Sequence, residues 1–321
     1  MVPAIIEKYK KAFVTLKQGV TKYGPAPHKP VLLLSVLQAI LSNQISDHRI
    51  YVTPELIFLF KSNWNRMVKT PHVSTFALPF FHLHKEKSAF WKLIPRPGFE
   101  AILSMKESVS SLSELNNMIF CAVIPDELFF LLKDEASNIT LQNCIVERYF
   151  PDVVNGIQYP ISTGLHQLSE IVLNETPERY RQEIQTLIKQ KDEDEIFLRG
   201  SLFKREIPRI YNNTCCISGM RIDATIHVSM IDACHIVPFS ESFNDTVTNG
   251  IALCPNLHRA FDRGLIGIDD QFRVVLSKAF REDKTSYSIG DFNRIQIKLP
   301  VEKKFYPSKE NLGWHRKNVF K

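Results

Sequence analysis

Apolar positions recur at helical spacing from the first residues. Ile5, Ile6, Tyr9, Phe13 and Leu16 fall on one side of residues 4–18, with lysines between them. This predicts an amphipathic helix. Gly19 and the run Gly24-Pro25-Ala26-Pro27 break the pattern. Pro30 then opens an apolar stretch to Leu41, and proline suits a first helical turn, so residues 30–42 are predicted as a buried helix. Thr53-Pro54-Glu55 starts another helix through Leu56, Leu59 and Phe60. Residues 71–99 hold Pro71, Pro79, Pro95 and Pro97 among many aromatics, which predicts strands and loops forming a surface. Residues 101–150 return to mixed helix. A polar helical segment follows, with the charge run Lys189 to Glu195, and predicts a helical connector over 156–200 whose charges form a solvated face. The division expected is 1–155, a linker over 156–200, and 201–321. No repeat is seen.

Composition narrows the class. The 321 residues suit about two domains of roughly 150 each, and 44% hydrophobic with 23% charged residues is ordinary for a chain with true cores. No stretch approaches the ~18–20 apolar residues that span a bilayer. Residues 1–11 hold Glu7, Lys8, Lys10 and Lys11 without an apolar run, so secretion is not expected. Six cysteines, with Cys215 and Cys216 adjacent, do not form a disulfide framework. A cytoplasmic protein without membrane association is the expectation. The net charge of +6 says less than its distribution. Residues 1–100 hold fourteen Lys and Arg against five Asp and Glu, with five of the ten histidines. Such an excess suits either an anionic partner such as nucleic acid or a solvated basic surface.

The chemistry concentrates near the other end. Asp232-Ala233-Cys234-His235-Ile236-Val237-Pro238-Phe239 is followed by Asn249-Gly250 and by Cys254-Pro255-Asn256-Leu257-His258-Arg259-Ala260-Phe261-Asp262. His235, Asn249 and His258 thus stand fourteen and nine residues apart. Residues 228–237 read as a strand ended by Pro238. Pro255 can open a short helix carrying His258, Gly264 stops it, and Leu265–Ile268 and Phe272–Leu276 read as further strands. Over roughly 205–320 this pattern resembles the HNH nuclease family, with its ββα-metal fold. The resemblance implies that His235 is the general base, because a neutral imidazole can take a proton from water near pH 7. It implies that His258 binds a divalent cation, and that Asn249 fixes the loop and the base, touching the metal in some members. Many relatives place a metal ligand directly before the base. Here Cys234 stands there, which makes Asp232 the candidate to complete the site. Magnesium or manganese suits one imidazole with oxygen ligands, and cobalt or nickel is tolerated by it.

Some HNH proteins frame the site with two CxxC pairs around a structural zinc. Here the corresponding places read Cys216-Ile217-Ser218-Gly219 and Cys254-Pro255-Asn256-Leu257, each one cysteine short, so no structural zinc is expected.

The segments Gly24 to Leu34, with His28-Lys29-Pro30, and Leu78-Pro79-Phe80-Phe81-His82-Leu83 resemble the sulfur-binding domain at the front of phosphorothioate-dependent HNH restriction endonucleases. This resemblance covers about residues 5–150. It implies an apolar cup preferring sulfur over oxygen, since sulfur costs less to desolvate. His28 and Lys29 would stand at its rim, with Pro79, Phe80 and His82 lining it. Leu78 replaces a frequent aromatic, and Lys29 replaces a frequent arginine, keeping the charge without the bidentate fork.

The expected fold class is α+β: a mixed α/β, sulfur-binding-type DNA-reading domain followed by the ββα-metal nuclease domain. The function expected is a modification-dependent restriction endonuclease acting on double-stranded DNA, phosphorothioated by preference. Two alternatives stand beside it: an HNH endonuclease reading another modification or a sequence, and a DNA-binding protein with an inactive HNH remnant. Cutting two strands with one site per chain favours a homodimer or two successive binding events.

Overall fold

A computed structural model describes residues 2–152, 169–170, 173–222, 229–283, 285 and 287–321. The expected boundary at 155 and the first part of the expected linker lie outside them. The chain divides into two units, residues 1–165 with 191–198, and residues 166–190 with 199–321.

The first unit is built around one helix. It runs α1 (Val2–Val14), β1 (Val20–Thr21), β2 (Gly24–Pro25), α2 (His28–Leu41), β3 (Arg49–Ile50), α3 (Pro54–Met67), α4 (Ala77–His82), β4 (Lys92–Pro95), α5 (Glu100–Met105), α6 (Leu112–Met118), β5 (Ile119–Val123), α7 (Asp126–Lys133) and α8 (Glu135–Tyr149). Every residue of α2 from Pro30 to Ile40 is buried, as expected of a helix apolar on all sides. It packs against α3, α4, α7 and α8. Thr53 caps α3 by accepting the Leu56 N–H at 3.2 Å, with Pro54 in the first turn. Between α2 and α3 the Asn63 amide donates to Ser35 Oγ (2.9 Å) and Gln38 Oε1 (2.8 Å), so these buried polar groups are matched. Antiparallel strands in the order β3-β5-β4 complete the unit.

Within residues 71–99 the strand β4 forms, but one segment departs from the expected strands and loops. Residues 77–82 are helical, and Phe76, Phe80, Phe81 and Trp91 belong to the core. Pro79 permits this because it sits in the first turn, where its missing N–H needs no partner.

The second unit contains α9 (Pro177–Gln190), most of α10 (Glu193–Ile210), β6 (Asp232–His235), α11 (Phe239–Ser242), β7 (Gly250–Leu253), α12 (Pro255–Asp262), β8 (Ile266–Ile268), β9 (Val274–Leu276) and α13 (Lys309–Asn318). Strands β6 and β7 pair antiparallel, with His235 opposite Gly250 and Asp232 opposite Leu253. Helix α12 follows β7 after one residue, giving strand, loop, strand, helix. Its core joins Phe203 and Ile207 of α10 to Ile236, Ile251, Leu257 and Phe261.

The expected solvated connector is also corrected. Tyr180 and Ile184 on α9 are fully buried in the second unit. In the charge run, Asp192 and Glu195 pair with Lys61 at 2.7 and 3.1 Å, and Asp194 is buried. Among the described residues no helix is long and apolar enough to cross a membrane.

Candidate active site

Strand β6 ends at His235, whose ring is held at one edge and on one face. Its Nε2–H donates to Asp245 Oδ1 at 2.7 Å. The other oxygen, Oδ2, accepts the Tyr180 hydroxyl at 2.9 Å. The Phe203 ring stacks on the imidazole, with centroids 4.0 Å apart and planes 13° from parallel. Because the carboxylate accepts a hydrogen bond from Nε2–H, the lone pair of the neutral ring lies on Nδ1. Burial and Asp245 both push the Tyr180 hydroxyl up, so it stays a donor.

The close packing of α10 has a cause in sequence. A Cβ on Gly250 would lie 2.4 Å from Ile207 Cδ1 and 2.8 Å from Phe203 Cε2, so only glycine lets these side chains lie against the strand.

Asn249 is fully buried, with its amide spent on the backbone. Nδ2 donates to Val237 O and Asn244 O, both at 2.9 Å, and Oδ1 accepts the Val237 N–H at 3.0 Å. It clamps the loop that carries Asp245. Asn249 is not among the residues that line the cavity with His235 and His258.

Helix α12 presents His258 and, one turn later, Asp262. His258 Nδ1 donates to Asp232 Oδ2 at 3.2 Å, while Nε2 lies 3.4 Å from Asp262 Oδ2. Asp232 therefore sits on the Nδ1 side of the imidazole and orients it, and Asp262 stands on the Nε2 side. The spacing of four residues on a helix was the available signal. Donor atoms of Cys234, His258 and Asp262 lie within 4.8 Å of one another. Burial, with Asp262 nearby, pushes the Cys234 thiol up. An Nε2 lone pair converging on a carboxylate oxygen suits a divalent cation with mixed nitrogen and oxygen ligands.

His235, His258 and Asp262 line one cavity of about 250 Å³, with Pro238, Phe239 and His315. Sequence reasoning gave His315 no role. It is buried and stacked on Phe261 at 3.7 Å, its Nε2–H donates to Phe261 O at 3.0 Å, and burial keeps it neutral.

The cysteine pair that lies together is Cys215 with Cys254, whereas Cys216 is wholly buried. Hydrogen bonding between the two thiols pulls Cys215 down and pushes Cys254 up. Among the described residues no further histidine, cysteine or carboxylate completes a ligand group there.

In the first unit the residues expected to form the sulfur cup differ in their exposure. Phe80 is fully buried and Pro79 is also buried, because α4 turns them into the core. Lys29 is ion-paired with buried Glu86, which also accepts the Lys17 N–H. His82 reaches Ser108 Oγ at 3.0 Å, and burial followed by Lys85 and Lys29 pushes its pKa down. His28 bonds Val73 O at 2.9 Å and packs against Trp64, with burial lowering its pKa. A cationic depression of about 730 Å³ is lined instead by Lys8, Lys11, Lys17, Lys85 and Lys87. Its lysines were visible only as excess charge.

Residues 215–269 match a family profile described as HNH endonuclease. No curated protein matches the chain. Among solved structures, a protein described as "Modification dependent TagI restriction endonuclease" aligns at 20% identity with a TM-score of 0.27, over 36% of this chain and 37% of that one.

Proposed function

We propose that this nuclease, whose second unit carries an HNH endonuclease domain, is a modification-dependent restriction endonuclease acting on double-stranded DNA. The observation that carries the reading is one cavity lined by a braced imidazole, His235, and by the converging donors His258 and Asp262. His235 Nδ1 takes a proton from water as the water oxygen attacks phosphorus. The bond to the 3′ oxygen breaks as the new bond forms. Asp232 holds His258, and His258 with Asp262 would hold a divalent cation. Such a cation, magnesium or manganese for these donors, supplies charge for the phosphate and the leaving oxygen. Asn249 keeps the loop in place.

The first unit is the DNA-reading part, supported by its basic excess and its lysine-lined depression. Phosphorothioate is the modification that the sequence resemblance implies, with His28 and His82 as its half-buried contacts. The burial of Phe80 and the pairing of Lys29 with Glu86 favour a second reading, in which this unit senses another modification or a sequence.

The test is cleavage of matched duplexes with and without phosphorothioate. His235→Ala should abolish cleavage while DNA binding and folding survive, and EDTA should do the same until magnesium or manganese is returned. Undiminished cleavage by the alanine variant would sink the assignment.

A further inference from the structure

Tyr180 and Phe203 lie outside the family-matched segment, yet both reach the proposed base. Tyr180 is fully buried on α9, 55 residues before His235, and its hydroxyl closes on Asp245 at 2.9 Å. Asp245 in turn meets His235 Nε2 at 2.7 Å. We propose that Tyr180 and Asp245 are positioning residues of the cleavage reaction, forming a Tyr–Asp–His chain that fixes which nitrogen of His235 faces water. The inference rests on His235 being the base.

A carboxylate with one oxygen on an imidazole N–H and the other on a hydroxyl cannot turn without breaking a buried hydrogen bond. Nε2 therefore keeps its proton and Nδ1 stays bare. Phe203, lying 13° from parallel to the ring, prevents it from tipping. The Arg199 guanidinium sits 5.6 Å over the Tyr180 ring and pairs with Glu175 and Glu183 at 2.9 and 2.6 Å, which fixes the tyrosine from behind. The matched segment supplies only Asp245 and His235. The preceding helices supply the rest.

The experiment uses the full chain with manganese and whichever of the matched linear duplexes, phosphorothioated or plain, the wild type cuts. Tyr180→Phe removes only the hydroxyl and should slow single-turnover cleavage roughly three- to tenfold, with DNA affinity unchanged. Asp245→Asn should cost roughly a hundredfold or more, the scale of a lost general base. Imidazole ¹⁵N resonances, assigned by difference from His235→Ala, supply a readout independent of cleavage. Wild-type His235 should be the Nε2–H tautomer, and Asp245→Asn should shift it toward Nδ1–H. Wild-type cleavage by both folded variants, or an Nδ1–H tautomer in the wild type, overturns the proposal. If His235→Ala also cleaves normally, the base assignment fails; if only His235→Ala is inactive, the chain alone fails.

Discussion

Single side chains here act through what surrounds them, and Asp194 allows a direct measurement of that effect. It is buried in the first turn of α10 and accepts the Phe76 N–H at 2.9 Å. Burial raises its pKa from 3.8 to about 7, against the opposing pull of the Phe76 hydrogen bond and Lys61. The folded state therefore keeps a proton that the unfolded chain has lost between those values. The stability linked to this proton is complete below pH 4, falls as pH rises, and is gone above about pH 7. The swing is on the order of 4 kcal/mol. Asp194→Asn keeps an acceptor for Phe76 and should flatten this part of the curve, leaving the variant more stable at pH 8. Urea titrations from pH 4 to 8 check this, and parallel curves for the two proteins would refute it. The same dependence on surroundings places Asp232 and Asp262 beside different nitrogens of His258. Which carboxylate faces the cavity is set by strand pairing and helix phase.

At the scale of elements, the fit of α10 against β7 hinges on one missing methyl group. Gly250→Ala would drive a Cβ into Ile207 and Phe203, a form of overpacking that costs about 1–3 kcal/mol. Cleavage should slow as Phe203 moves off His235. Adding Ile207→Val removes the atom at 2.4 Å and should restore part of both losses. Thermal melts and cleavage rates measure this, and an unperturbed single variant would contradict the packing argument. These elements also show what periodicity can convey. The α2 helix, the strand ending at His235 and the short helix carrying His258 were legible, because proline, glycine and apolar runs mark them locally. Helix α4 was not, since prolines and aromatics in one stretch describe a surface loop and a buried helix equally well. The Tyr180–Asp245 contact was illegible for another reason. It joins residues 65 apart that no local pattern connects.

At the scale of the molecule, each unit has its own core, and the cationic depression and the proposed catalytic cavity belong to different units. Recognition and hydrolysis should then be separable in the intact chain. Full-length His235→Ala, which should not cut, should bind phosphorothioate duplex more tightly than plain duplex at equal salt. Lys11→Gln, Lys17→Gln and Lys87→Gln together should weaken binding to both duplexes. They should also lower the slope of log affinity against log salt by roughly one per lost phosphate contact. His82→Ala should instead reduce the preference for sulfur and leave that slope alone, because it removes a local contact without removing a fixed charge. An unchanged slope in the triple variant would remove the lysine depression from the DNA path. Equal binding of both duplexes at every salt concentration would remove sulfur from the recognised chemistry, leaving a nuclease whose first unit reads something else.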